Sequence, residues 1–150
     1  MGFDKMSLKG RALKLLAARE HSRAELERKL QAYEEEPGSL RTALDDLQAR
    51  GFIDEQRVLD SVIHRRAGKL GGTRLRQELQ AKGLDEAAVG EALAGLASTE
   101  PQRAREVWQK KFAHPPQTPA EYGKQARFLI ARGFSAEVVR RLLSASRAEA

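Results

Sequence analysis

The sequence has no cysteine and few aromatic residues, and these absences exclude whole classes of structure. Without cysteine the chain forms neither a disulfide nor a thiolate metal site. Aromatic residues make up only 5% of the 150 residues, and no alternating β-branched run is long enough to predict a strand. The start, MGFDKMSLKG, lacks the apolar core of a secretion signal, and no segment approaches the roughly 20 apolar residues of a membrane span. We therefore expect a cytoplasmic, helical protein that does not bind membranes.

Charged residues are plentiful and unevenly placed. Residues 1–53 hold ten basic and nine acidic side chains, residues 54–98 hold seven of each, and residues 99–150 hold ten basic against five acidic. A basic final third favours a polyanion or an acidic protein surface as the partner. Arg-rich helices that are simply well solvated would give the same count, so charge alone leaves both interpretations open.

Capping residues mark the helix boundaries. Ser22 to Glu25 has the capping-box pattern, and Thr118 to Glu121 repeats it with Pro119 at the first helical position. Further N-cap candidates are Asp54, Asp85, Thr99 and Ser135. Helix ends are indicated by glycines that can adopt the left-handed conformation, namely Gly51, Gly83 and Gly133. Together these signals predict nine helices, over 7–20, 22–34, 37–50, 54–69, 73–82, 85–97, 99–113, 118–132 and 135–147.

The apolar positions recur with a period near 50 residues. A shift of 49 residues carries Leu26 onto Leu75, and a shift of 50 carries Gly83-Leu84 onto Gly133-Phe134. The third copy is looser, because Gln125 stands where Leu75 predicts an apolar residue. Leucines on helices can align by chance, but chance periodicity would not also place a glycine at the same corner.

Each copy of the period contains three helices with one buried stripe apiece. Units this short bury little surface alone, so neighbouring copies should stack. We therefore predict an all-α fold of three tandem three-helix repeats of about 50 residues, which form an elongated array. The predicted repeats are residues 1–53, 54–98 and 99–150.

No arrangement typical of a catalytic or metal site is found. His21, His64 and His114 lack any metal-ligand spacing, and we expect them to be solvated or partly packed. The segment 68–73 lacks the residue order of a phosphate-binding loop and follows no strand, so it predicts an interhelical turn. We predict that the chain is not an enzyme and uses no cofactor or metal.

Basic side chains are the strongest functional signal. Such arrays fit contact with phosphates, which supplies affinity but reads little sequence. No exposed face carries an Asn/Arg pattern for base contacts, which argues against a promoter-reading helix-turn-helix. The alternative is a set of solvated faces with pairs one turn apart, such as Arg74 with Glu78. The candidate binding residues are Arg65, Arg66, Lys69, Arg74, Arg76, Lys82, Lys124, Arg127, Arg132, Arg140 and Arg141.

Three separated stretches carry ordered motifs. The first, AAREHSRAELERKL, fits the pattern L-x-x-R-x-x-S-x-x-E-L-x-x-K-L at most of its positions. The second has the turn G-[FY]-[ILV]-D-[DE] at 51–55 and the helix R-[IL]-x-x-E-L-x-x-K-G-[IL] at 74–84. The third, RFLIARGFSAEVVRRLL, contains R-F-L-x-x-R-G-F-S. Over about residues 12 to 145 the chain therefore resembles the RecX family of bacterial regulatory proteins. It departs at Val58-Leu59, where Phe-Ala is usual, and at residues 33–37, where a Lys-Gly corner is common.

The resemblance implies three tandem three-helix repeats and a negative modulator of the RecA recombinase. Such a protein would lie in the groove of the RecA–DNA filament and inhibit filament extension, ATP hydrolysis, strand exchange and co-protease activity. It would thus act in homologous recombination, DNA repair and the SOS response. The expected partners are the RecA filament and single-stranded DNA, with double-stranded DNA as a further ligand, bound by a monomer without sequence preference. The alternatives are a sequence-tolerant DNA-binding module acting without RecA, and a helical scaffold for another acidic protein.

Overall fold

The computed structural model describes residues 6–149, with side chains to residue 146, and all regular structure in that range is helical. Two short 3₁₀ turns occur at Gln31–Tyr33 and Ala97–Thr99. The α-helices of the described range are α1 (Leu8–Ala18), α2 (Arg23–Leu30), α3 (Ser39–Ala49), α4 (Glu55–Arg66), α5 (Gly72–Ala81), α6 (Glu86–Leu96), α7 (Glu100–Lys111), α8 (Pro119–Ala131) and α9 (Ala136–Glu149). The all-α prediction is confirmed. The outer ends of the first and third predicted repeats, residues 1–5 and 150, lie outside the described residues.

Most predicted helix caps are present. At the start of α2 the Glu25 amide donates to the Ser22 hydroxyl, and the Ser22 amide donates to the Glu25 carboxylate. The N-cap prediction for Thr99 is wrong. Thr99 belongs to a 3₁₀ turn and has helical backbone angles. Its hydroxyl therefore donates back to the Leu96 carbonyl oxygen and does not cap α7.

Eight of the nine α-helices in the described range end one to four residues earlier than the pattern predicts, and the ends of α4 and α5 change the place of candidate binding residues. The fourth ends at Arg66, because the amides of Lys69 and Leu70 both donate to the Arg66 carbonyl oxygen and close a turn. Lys69 therefore lies in a turn and not on the helix face of Arg65. The fifth ends at Ala81, which places Lys82 beyond it.

The chain forms two compact units. The first contains the residues up to Ser61 together with Ala81–Leu84, and its core joins α1, α2 and α3. Its buried side chains are Ala12, Leu26, Leu30, Leu40, Leu44, Leu47 and Ile53. Burial of these apolar side chains supplies the main stabilising free energy of this unit.

The second unit contains Val62–Gln80 and the residues from Asp85 onward. A core cluster joins its last three helices through Ala104, Val107, Trp108, Leu129, Phe134, Val139, Leu142 and Leu143. Gln125, the misfit of the repeat, is buried there and accepts a hydrogen bond from the Trp108 indole N–H at 2.7 Å. The polar residue thus satisfies the only tryptophan, whose N–H would otherwise be buried without a partner.

A 49-residue shift aligns Leu93 and Leu96 on α6 with the buried Leu44 and Leu47, yet the two α6 leucines are less buried. Both are of intermediate exposure, whereas Val89 on the same helix is fully buried. The two leucines border an open cleft beside Gly72 and Val138, so their side chains are only partly covered.

Candidate functional site

The first corner, residues 81–84, packs against the start of α2 within the first unit. The Ser22 hydroxyl donates a hydrogen bond to the Lys82 carbonyl oxygen at 2.6 Å. The Arg28 guanidinium donates to the Ala81 carbonyl oxygen at 3.1 Å. Carbonyl groups left over at the end of α5 are thereby satisfied by side chains.

The second corner, residues 131–134, packs against the start of α5 within the second unit. The Gly71 amide donates to the Arg132 carbonyl oxygen at 2.9 Å, and the Thr73 amide donates to the Gly133 carbonyl oxygen at 3.1 Å. A 49-residue shift aligns Gly71 with Ser22, and a 50-residue shift aligns Arg132 with Lys82. The repeated corner therefore has a structural cause: in both copies it ends one helix and docks on the start of the equivalent helix in the preceding repeat.

Glycine is required at both corners by backbone angle and by space. Gly83 has a φ of +71°, and a Cβ there would lie 2.7 Å from the Ala24 Cβ. Gly133 has a φ of +95°, and a Cβ there would lie 2.5 Å from the Arg74 backbone nitrogen. Only glycine adopts this conformation without strain, and only a residue without a Cβ permits the contact.

A buried carboxylate connects the first corner to its helix. Glu25 accepts hydrogen bonds from Arg19 at 2.8 Å and from the Ser22 amide at 2.9 Å, and its other partner is the Lys82 ammonium at 3.3 Å. Burial alone would raise the pKa of Glu25, but these hydrogen bonds and the Lys82 charge lower it to about 2. The Lys82 charge is therefore used within the fold.

His21 lies beside this network and is buried, contrary to the prediction of a solvated or partly packed residue. Its Nδ1 is 3.0 Å from the Arg19 carbonyl oxygen and its Nε2 is 3.1 Å from the Lys29 ammonium. Burial lowers the pKa of His21, because the charged ring would lose its hydration.

Two charged side chains hold the second unit together. Glu100 accepts from the Gly72 amide at 2.7 Å and from the Ser135 amide at 3.3 Å, at the starts of α5 and α9. Arg103 is buried and donates to the carbonyl oxygens of Ala67 and Leu70 at 2.8 and 2.6 Å. Arg103 therefore adds to the basic count of this region without being available to a ligand.

Six predicted binding residues form ion pairs inside their own unit. The shortest contacts on α9 are those of Glu137 with Arg140 and Arg141, at 2.8 and 2.7 Å. Glu78 binds Arg66 at 3.0 Å and lies 3.9 Å from Arg74, which is the pair one turn apart given above as the alternative to a binding role. The six paired residues are Arg66, Arg74, Arg76, Lys82, Arg140 and Arg141.

Four others form no ion pair with any described residue: Lys69, Lys124, Arg127 and Arg132. Arg65 is exposed on α4. Lys69 and Arg132, far apart in sequence, line one cleft, whereas Lys124 lines another with His114 and Glu121. The structure thus brings one pair of the unpaired cations together and keeps Lys124 apart.

The first of these clefts, the cationic cleft, contains two lysines that the sequence reasoning missed. Its lining residues are Gly68, Lys69, Val107, Lys110, Lys111, Phe128 and Arg132. Lys110 and Lys111 follow the tryptophan in WQKKFAH, and this adjacent pair in the basic third was the available signal. None of the described residues that line the cleft carries a carboxylate.

Neither a metal site nor a membrane span is found in the described part of the chain. Its His, Asp and Glu side chains form no group of three or more suited to hold a metal ion. None of its helices has the length and apolar character needed to cross a membrane.

Family models match the chain in three consecutive ranges. The model of the first RecX three-helix domain matches residues 9–47, that of the second matches 54–93, and that of the third matches 99–143. These ranges stand in the order of the domain numbers and cover most of the chain.

Sequence relatives and solved structures agree with these matches. The regulatory protein RecX of Leptothrix cholodnii is 54% identical over 138 residues, which span 92% of this chain and 88% of that protein. The regulatory protein RecX of Ralstonia nicotianae is 46% identical over 92% of this chain and 87% of its own length. The crystal structure of RecX from Lactobacillus salivarius has the same fold, with a TM-score of 0.77 at 18% identity over 94% of this chain and 95% of that chain. The chain belongs to the RecX family of regulatory proteins.

Proposed function

We propose that this chain is a negative regulator of the RecA recombinase that binds the RecA–DNA filament. The observation that carries the proposal is the complete and ordered set of three RecX domains along residues 9–143. Binding hinders filament extension and so lowers ATP hydrolysis, strand exchange and co-protease activity in recombination, DNA repair and the SOS response. The chain acts in the cytoplasm as a monomer, without catalysis or a cofactor of its own.

The basic side chains make the contacts to the filament and its DNA. Cations without an ion pair contribute most, because a paired cation must first lose its carboxylate or share it with the phosphate. The contacts read backbone charge, so the chain binds single-stranded and double-stranded DNA without sequence preference. The proposed set is Arg65, Arg66, Lys69, Arg74, Arg76, Lys82, Lys124, Arg127, Arg132, Arg140 and Arg141.

ATP hydrolysis by preformed RecA filaments on single-stranded DNA tests the proposal. The chain is titrated at fixed salt, and we expect inhibition at far fewer molecules than RecA subunits. Inhibition that requires enough chain to coat the DNA would reduce the protein to a competitor for phosphates. No inhibition with active RecA and DNA would contradict the proposal.

A second candidate function is a DNA-binding module that acts without RecA. The cationic cleft favours it, since unpaired cations that share one cleft bind phosphate whether or not RecA is present. The two candidates differ in the ligand of higher affinity, which is the filament for the first and bare DNA for the second.

A further inference from the structure

The cationic cleft concentrates positive charge without a counter-ion. Four of its lining side chains are cations, Lys69, Lys110, Lys111 and Arg132, and none of them forms an ion pair with a described residue. By contrast, several exposed cations elsewhere are paired, such as Lys9 and Arg50, which both contact Asp46. The cleft is therefore a place in the described structure where unpaired cations from separate segments meet.

The partial negative charges of helix C-termini compensate part of this positive charge but not all of it. Lys110 and Lys111 lie in the last turn of α7, Arg132 follows α8, and Lys69 follows α4. Cations are favourable near helix C-termini, each of which carries about −0.5 of a charge. Three such ends contribute about −1.5 against four positive side chains. A net positive charge of more than two therefore remains for a ligand.

An aromatic ring fixes two of the cations. The Arg132 guanidinium lies 5.0 Å from the centre of the Phe128 ring, and the Lys111 ammonium lies 5.6 Å from it. Phe112 packs edge-on against the same ring at 5.4 Å and holds its orientation. Cation–π contacts reduce the conformational freedom that these long side chains would lose on binding an anion.

The cleft is open and of suitable size. Its volume is about 380 Å³, which is within the range of small-ligand pockets. Lys69, Lys110 and Lys111 are exposed, and a Cβ added at Gly68 would touch nothing, so one side of the cleft is unobstructed. Val107 and Phe128 add an apolar wall beside the charges.

Cations beside an aromatic wall are the combination that binds unpaired nucleic-acid strands, whose phosphates and base faces are both accessible. A carboxylate peptide would use the charges and leave the aromatic wall unused. We infer that the cationic cleft is a single-stranded nucleic-acid subsite, in which Lys69, Lys110, Lys111 and Arg132 bind backbone phosphates beside Phe128. This inference deepens the proposed function and rests on its DNA-binding part.

The test measures affinity for a labelled single-stranded oligonucleotide without RecA, over a series of salt concentrations. The variant Lys110→Gln/Lys111→Gln removes two exposed charges from the cleft. Each phosphate contact on a single strand contributes about 0.7 to the slope of log affinity against log salt. We therefore expect the slope to fall by about 1.4 and affinity at 0.1 M salt to fall about 25-fold.

The matched control is Lys9→Gln/Arg50→Gln, which removes the same charge from exposed residues of the first unit that pair with Asp46. We expect a change of about twofold or less, since these two cations are already paired with Asp46 and have less charge to offer a phosphate. A second cleft variant, Lys69→Gln/Arg132→Gln, should weaken binding as the first one does. Circular dichroism and the fluorescence emission of Trp108, whose sequence neighbour Val107 lines the cleft, check that each variant is folded.

Five results would overturn the inference, and the first four concern the variants and competing ligands. Two concern the variants: an equal loss of oligonucleotide affinity in the cleft and control variants, or no loss of affinity in either cleft variant. Two concern other ligands: an affinity for a polyglutamate peptide equal to that for the oligonucleotide, or displacement of the oligonucleotide by micromolar pyrophosphate. An unmodified chain that binds no oligonucleotide would also overturn it. Inhibition of RecA ATP hydrolysis is measured separately, so the proposed regulation of RecA can stand if this subsite fails.

Discussion

The two glycine corners present equivalent carbonyl groups and differ in the donor to one of them. The carbonyl oxygens of Ala81 and Ala131 both accept from an arginine guanidinium. The carbonyl oxygen of Lys82 accepts from a side chain, that of Ser22, whereas the equivalent oxygen of Arg132 accepts from a backbone amide, that of Gly71. Side-chain donors depend on residue type and are linked to ionisable neighbours. Backbone donors depend only on close approach, so the second corner tolerates no added Cβ.

The largest predicted effect comes from alanine substitutions at the glycines, which distinguish backbone strain from a steric clash of the added Cβ. At Gly51 the backbone φ is +84° and nothing lies within 4 Å of the Cβ position, so Gly51→Ala introduces backbone strain but no clash. It should lower the free energy of unfolding by about 1 kcal/mol. Gly83→Ala adds one side-chain contact and should cost more. Gly133→Ala forces a Cβ onto the backbone of Arg74 and should cost more than about 3 kcal/mol.

Denaturant unfolding followed by circular dichroism gives these free energies, and Trp108 emission reports on the second unit. Gly51→Ala is the matched control for strain alone. Equal destabilisation by all three substitutions would show that close docking of the corners does not matter.

The next effect is acid sensitivity of the first corner. The pKa of Glu25 is lowered to about 2 in the folded state, so its stabilisation is complete above the unfolded value near 4.5 and is lost as pH falls towards 2. The loss should reach up to about 3 kcal/mol. His21, with its pKa lowered by burial, adds a loss that begins below about pH 6.5. Glu55, whose pKa is raised by burial, acts in the opposite direction.

The contribution of Glu25 to this acid sensitivity is measured by comparing the free energy of unfolding at pH 7 and pH 3 in the original chain and in Glu25→Gln. The substitution should lower stability at pH 7 and reduce the difference between the two pH values. A pH difference that is unchanged in Glu25→Gln would assign the acid sensitivity to other groups.

A smaller effect is expected from the hydroxyl of the first corner. Ser22→Ala removes both the N-cap of α2 and the donor to Lys82, which should cost about 2 kcal/mol. Ser22→Thr keeps both hydrogen-bonding roles and serves as the control. Because Gly71 has no side chain to delete, the second corner has no counterpart of this variant. If the midpoint of denaturant unfolding is unchanged in Ser22→Ala, the corner does not depend on a side-chain donor.

The sequence predicts what depends on neighbouring residues and misses what depends on distant ones. The capping box at Ser22 and the left-handed turn at Gly133 are local, and both are confirmed. The Thr99 cap fails because Thr99 ends a 3₁₀ turn that runs directly into α7, so its backbone is already helical and its hydroxyl cannot cap the helix.

The cationic cleft could not be predicted, since its cations come from three segments that only the tertiary fold brings together. The same holds for Gln125, whose burial makes sense only beside Trp108. Charge counts identified the basic third but could not separate Arg103, used inside the fold, from Lys110, exposed at the cleft.

The most direct test of RecA regulation compares binding of the chain to RecA filaments on single-stranded DNA with binding to the same DNA alone. Both are measured by co-sedimentation at increasing salt. Phosphate contacts weaken steeply with salt, whereas contacts to RecA weaken less. We predict that filaments retain the chain at salt concentrations where bare DNA has released it. Equal retention by bare DNA and by filaments at every salt concentration would contradict the proposed regulation of RecA.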